Sequence, residues 1–97
     1  MSLRGHPVEQ SARLPDGREI LVRVGVPPDS YIKASELDTV DVELFENERS
    51  LAFVNTVLDA DQEGEALQLT REIVAGLESG ELEPTAAAIE PLADRLR

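Results

Sequence analysis

The spacing of apolar residues changes once along the chain, and this change constrains the fold more than any other feature of the sequence. Up to Leu58 apolar residues recur with a period of two, as in strands that bury one face. After Asp59 they recur at intervals of three and four, as on one side of a helix. Strands followed by helices are typical of α+β domains. We therefore predict a small antiparallel sheet of about four strands, in two hairpins, followed by two C-terminal helices packed on one face.

The first predicted hairpin lies in the N-terminal part of the chain. Alternating residues from Val8 to Leu14 predict one strand, and residues 20–26 predict the next and clearest one. Pro15-Asp16-Gly17 between them suits a tight turn, because proline presets φ and glycine accepts a positive φ. Pro27-Pro28 must end the second strand, since neither residue can donate to a ladder. We predict a loop with at most one helical turn over residues 29–37.

The second predicted hairpin has an acidic outer face. Val40, Val42 and Leu44 face one way, while the alternate positions of this strand carry Thr39, Asp41, Glu43 and Phe45. Residues 46–50 form a polar connection, and Leu51 to Leu58 is rich in the β-branched and aromatic residues that favour strands.

Two helices are predicted after the strands. Asp59 suits the N-cap of the first helix, and Gly80 suits its C-terminal stop. Pro84 can begin the second helix, and Pro91 is expected to kink that helix or split it. Both helices should cover the sheet. The residues that we expect to be buried together are Val22, Val24, Val42, Phe53, Leu69, Ile73 and Leu77.

The length of the chain limits the number of domains. Ninety-seven residues suit a single hydrophobic core, because two domains would leave neither with enough apolar surface to bury. We predict one α+β domain over residues 1–97, in which residues 1–6 are disordered or left over from expression.

Charge narrows the classes of partner. A net charge of −11 repels phosphate backbones and anionic lipid surfaces, and three aromatic residues leave little for stacking on bases. We therefore expect neither nucleic acid nor membrane as a partner. Ten of the acidic residues fall within residues 34–70, against Arg49 alone. This segment is either a solvated face or a surface that meets a cationic partner.

The inventory of reactive side chains argues against catalysis. Cysteine is absent, His6 is the one histidine, and no glycine-rich phosphate loop is present. The acidic segment 59–64 reproduces the opening of a calcium-binding loop, but Thr70 stands where the closing carboxylate is needed. We interpret it as an acidic helix N-terminus. The sequence predicts no enzyme, no cofactor and no metal.

Six polar residues around the second hairpin are the candidate binding residues. Asp41 and Glu43 share one strand face, about 7 Å apart by strand rise, although ion pairs with Arg18 or Arg23 would use the same carboxylates. The adjoining turn adds two acids, and the following strand could bring a polar patch to the same face. The six candidates are Asp41, Glu43, Glu46, Glu48, Asn55 and Thr56.

These observations predict a non-catalytic protein-interaction or accessory domain that binds a protein partner or itself. The alternative is an acidic inhibitor that occupies a cationic site on a partner protein. A small-molecule binder would need a concave pocket at Asn55 and Thr56. The cytoplasm is the expected compartment, because the sequence shows no signal peptide and no bilayer-spanning apolar run.

Overall fold

The computed structural model describes residues 7–25, 39–59 and 62–94. Within them the chain forms one antiparallel four-stranded sheet followed by two helices, which confirms the predicted α+β arrangement. The elements are β1 (Val8–Arg13), β2 (Glu19–Gly25), β3 (Thr39–Glu46), β4 (Arg49–Asp59), α1 (Glu63–Ser79) and α2 (Ala86–Asp94). The order in the sheet follows the chain, β1-β2-β3-β4, so β1 and β4 are the two edges. The predicted loop over residues 29–37 lies outside the described residues.

The β1–β2 hairpin closes through the turn that its sequence predicts. The Gly17 backbone N–H donates to the Leu14 carbonyl at 2.9 Å, and the Leu14 N–H donates to the Arg18 carbonyl at 2.8 Å. Gly17 has a φ of 94°, which a residue with a Cβ rarely adopts. The Asp16 carboxylate accepts from the Arg18 N–H, as aspartate does in turns. Pairing then runs without a shift from Arg13 and Glu19 to the far end of the hairpin.

The β3–β4 hairpin is tighter and less regular. Asn47 and Glu48 form its two-residue connection, and both have a positive φ, as type I′ turns require. The register then shifts by one residue, because Leu51 is an extra residue between the pairs Phe45–Ser50 and Leu44–Ala52. Such a shift exchanges the two faces of a strand.

The prediction that Phe53 belongs to the core is wrong, because this shift turns its side chain to the other face of the sheet. Phe53 is 49% exposed, whereas the sheet face beneath the helices receives Ala52, Val54 and Leu58 from β4. Without the extra residue Leu51, the two-residue turn would pair Val42 with Phe53 and bury the ring. The other six residues of the predicted core are buried as expected.

The two helices divide the inner face of the sheet between them. Helix α1 packs on β1 and β2, and α2 packs on β4. From α1 the core receives Leu69, Ile73 and Leu77, and from α2 it receives Ile89 and Ala93. One hydrophobic cluster therefore lies between the sheet and both helices.

The helix ends differ in part from the predicted ones. Asp59 is not the N-cap of α1, because β4 extends through Asp59 and Gln62 occupies the cap position, where its side chain does not make the capping hydrogen bond. At the other end Gly80 stops α1 in the left-handed conformation, as predicted. The Thr85 hydroxyl accepts from the Ala88 N–H and caps α2. Helix α2 continues through Pro91 and is not split there.

Candidate functional site

The face of the sheet opposite the helices, which we call the open face, carries the candidate residues of β3. Neither described helix packs on it. Cross-strand pairing places Asp41 between Gly25 of β2 and Asn55 of β4. The next row on the same face joins Arg23, Glu43 and Phe53. The open face is therefore a mixed surface of charged, amide and aromatic side chains.

Asp41 is the unusual member of this face because its carboxylate is buried. The residue is 8% exposed, and its Oδ1 atom has no hydrogen-bond partner. Burial, with a smaller contribution from the charge of Glu43, raises the pKa of Asp41 from 3.8 to about 6. A carboxylate without a partner inside a protein is costly, so this position is a candidate for recognition.

Glu43 lies in a more ordinary environment. It is partly exposed, and its Oε2 atom accepts a hydrogen bond of 2.7 Å from the Ser50 hydroxyl. Arg23 is its direct cross-strand neighbour on β2, but the Arg23 Nε atom donates to Glu9 at 3.0 Å. Glu43 thus lies beside the exposed ring of Phe53.

The remaining two acidic candidates do not join Asp41. Two Arg18 nitrogens donate to the two carboxylate oxygens of Glu46, each at 2.8 Å, whereas the sequence predicted Asp41 or Glu43 as the partner of Arg18. This hydrogen-bonded partner lowers the pKa of Glu46 and raises the pKa of Arg18. Glu48 is exposed in the turn. The four acids expected to act as one surface therefore occupy four different environments.

Asn55 and Thr56 do not form the predicted polar patch. Asn55 is exposed on the open face, whereas Thr56 is 5% exposed and belongs to the core side. The Thr56 hydroxyl donates to the Val40 carbonyl at 2.6 Å and accepts from the Leu58 N–H at 3.1 Å. Its hydroxyl thus satisfies backbone groups where β4 carries extra residues opposite β3. Thr56 is a structural residue, and Asn55 alone faces outward.

Two aromatic residues of the open face were not among the binding residues predicted from the sequence. Arg23 lies over the ring of Phe45, with the guanidinium carbon 4.8 Å from the ring centroid. Phe53 has its exposed ring in the adjoining row. The period of two in β3 already placed Phe45 beside the acids, but nothing in the local pattern of β4 revealed that Phe53 faces outward.

A concavity of about 390 Å³ opens on the same side of the sheet, away from Asn55 and Thr56. It is lined by Ser11, Glu19, Ile20, Leu21, Arg23, Phe45, Asn47 and Glu48. It is open to solvent, and its walls come mainly from residues of β2 and from the β3–β4 connection. This concavity does not include Asn55 or Thr56, where a small-molecule binder would need its pocket.

Neither a metal cluster nor a membrane-spanning helix occurs in the described part of the chain. It contains no group of three or more histidine, cysteine, aspartate or glutamate side chains placed to hold a metal ion. None of its helices has the length and apolar character needed to cross a membrane.

Comparisons with known proteins do not assign the chain to a family. Neither the protein-family models, nor the curated proteins, nor the solved structures contain a match to this chain.

Proposed function

We propose that this protein is a non-catalytic interaction domain that binds a protein partner through the open face of its sheet. The observation that carries the proposal is the exposed ring of Phe53, which is 49% accessible on the face that neither described helix covers. Single exposed apolar side chains are common, but a contiguous apolar patch with a polar rim marks a contact surface.

The neighbours of Phe53 support this proposal. Leu21 and Phe45 are partly exposed and lie side by side on β2 and β3. Ion pairs surround them, so the apolar centre has a polar rim, which is the usual anatomy of an interface. Self-association through this face is one form of the proposed function.

The acidic inhibitor receives less support from the same side chains. That function would use the acids of the second hairpin as one anionic surface. Arg18 pairs with Glu46, and Asp41 is largely buried, so only part of the charge is presented. The apolar centre of the open face is the stronger feature.

Site-specific photocrosslinking tests the proposal. A benzophenone amino acid replaces Phe53 in one variant and the exposed Ala75 of α1 in a matched control, both expressed in the native organism. We expect a discrete crosslinked protein from position 53 that position 75 does not give. Equal yields from both positions, or none from position 53, would contradict it. Sedimentation of the purified protein shows whether the partner is a second copy.

A further inference from the structure

The sheet has two edge strands, and they differ in how well they can accept another strand. β4 carries extra residues opposite β3, and such bulges twist an edge away from further pairing. β1 runs over Val8–Arg13 in one continuous register with β2 and contains no proline, glycine or lysine. Among the described strands only β2 pairs with it. β1 is therefore the edge that is suited to pairing with a further strand.

The backbone groups of β1 that point outward belong to the residues of the open face. The Leu14 N–H donates to the Arg18 carbonyl, and hydrogen-bonded pairs alternate along an antiparallel ladder. Every second residue from Leu14 back along β1 thus directs its N–H and C=O groups at β2. The residues between them direct theirs away from the sheet, and these are Glu9, Ser11 and Arg13.

The edge is also accessible from the side of the sheet that carries the helices. Gln10 and Ala12 both point to that side, because their partners on β2 are the buried Val22 and Ile20. Ala12 is buried, but Gln10 is exposed. Helix α1 therefore does not close over the edge at Gln10.

The charges of this edge are self-complementary, because Glu9 and Arg13 lie two residues before and two residues after Ser11. We propose that two copies of this chain join their β1 strands antiparallel about a two-fold axis at Ser11, so that their two sheets become one. Glu9 of each copy then lies opposite Arg13 of the other, and the outward backbone groups bond to each other. This inference goes beyond the proposed function, since it uses the strand edge and leaves Phe53 to a partner.

The second copy extends a row of alternating charge. On the open face Glu43, Arg23 and Glu9 lie side by side on β3, β2 and β1, and Arg23 donates to Glu9 at 3.0 Å. The row thus ends at the edge with a negative charge. Arg13 of the second copy comes next, followed by Glu19 of that copy, to which Arg13 donates at 2.8 Å. The sign of the charge therefore alternates across the whole interface.

Other registers of the same edge lose this match. A two-fold axis at Glu9 or at Arg13 would place like charges opposite each other, which is destabilising. An axis at Gln10 or at Ala12 would place each charged side chain of the edge opposite an uncharged residue. Only the axis at Ser11 pairs both charges with their opposites.

The net charge of the chain does not prevent this contact, because most of the acids lie elsewhere. Residues 8–25 carry three acidic residues and three arginines, whereas residues 34–70 carry ten acidic residues and one arginine. Exposed charges are screened beyond about 8 Å at physiological ionic strength. The first hairpin is thus a part of the molecule where a second copy meets little repulsion.

Charge reversal at the edge tests the inference by sedimentation equilibrium on the full chain. We expect the unchanged chain to dimerise with a dissociation constant on the order of 10–100 µM, since a short edge is a small interface. Glu9→Arg alone, or Arg13→Glu alone, places like charges opposite each other and should weaken dimerisation at least about tenfold. An equal mixture of these two variants opposes only unlike charges, so it should form a heterodimer about as tightly as the unchanged chain dimerises.

Two variants serve as controls for charge and for the backbone. Arg49→Glu changes the net charge as Arg13→Glu does, but it lies at the far edge of the sheet and should leave dimerisation unchanged. Ser11→Pro removes an outward N–H that the ladder with β2 does not use, so it should abolish the dimer and keep cooperative unfolding. If this proline variant does not fold, the charge reversals still decide the question.

Three results would overturn the inference. The first is a monomer at every concentration up to about 1 mM, and the second is a mixture of the two charge variants that associates no better than either variant alone. The third is loss of the dimer in Phe53→Ser, which changes an exposed side chain on the open face. That loss would show that two copies meet through the open face and not through the edge of β1.

Discussion

The two hairpins of the sheet differ in how closely pairing follows the sequence pattern. β1 and β2 pair in one continuous register, and their buried apolar positions alternate and face the helices as expected. β3 and β4 change register twice, once at Leu51 and once around Thr56. The irregular hairpin also holds the buried Asp41 and the exposed Phe53. Bulges, which local patterns do not reveal, therefore set the chemistry of the open face.

The largest change in stability is expected when one residue is deleted from a strand of each hairpin. Removing Leu21 from β2 turns one half of a central strand inside out against both neighbours, so we expect loss of cooperative unfolding. Removing Leu51 instead joins the pairs on either side of the bulge into one register, and should cost roughly 1–2 kcal/mol for its half-buried side chain. Urea denaturation measures both. Equal damage from the two deletions would show that the bulge itself is required.

The next effect concerns the helix over the regular hairpin. Ile73 is fully buried in α1, so Ile73→Ala should lower the free energy of unfolding by about 2–5 kcal/mol. The control is Leu67→Ala on the outer side of the same helix, where the side chain is 37% exposed and should cost less than about 1 kcal/mol. Similar losses in both variants would mean that α1 presents a different side to the sheet.

The third effect concerns Asp41 in the irregular hairpin. Its pKa is raised on folding from 3.8 to about 6, so the ionised form opposes folding: the contribution of Asp41 to stability is highest below pH 4 and is lost as pH rises through 6. Asp41→Asn removes this loss and should stabilise the protein by up to about 3 kcal/mol at pH 7, with no gain near pH 3.5. Denaturation of both proteins across this pH range measures the difference. A constant difference at every pH would refute the burial of the charge.

The smallest effects come from the two turns, and they should have opposite signs. Gly17 has a φ of 94°, and a Cβ added there would meet no atom within 4 Å, so Gly17→Ala should cost about 1–2 kcal/mol through backbone strain alone. Glu48 has a φ of 67°, so Glu48→Gly should stabilise the second turn by up to about 1 kcal/mol.

Each turn variant has a control. Gly64 lies in the first turn of α1 with open space around it, so Gly64→Ala should stabilise slightly through helix propensity. Glu48→Ala keeps the strained φ and should change little. Thermal melts compare all four variants, and a loss of stability in Glu48→Gly would show that the Glu48 side chain contributes more than its strain costs.

The order of the elements and most of the core could be predicted from local sequence patterns. Periods of two and 3.6 are local properties, and so are the Pro15-Asp16-Gly17 turn and the Gly80 helix stop, which is why they could be read directly. The same alternation placed Asp41, Glu43 and Phe45 together on the outer face of β3.

Which side of β4 is buried, and what surrounds each acid, depends on contacts between residues that are distant in the chain. In β4 both alternating sets contain apolar residues, so the choice between Phe53 and Val54 depends on pairing with β3 and on the extra residue Leu51. Likewise, Asp41 and Glu46 look alike in the sequence. One has a buried oxygen without a hydrogen-bond partner and the other is held by Arg18, 28 positions away, because a carboxylate's environment is set by residues that only folding brings near it.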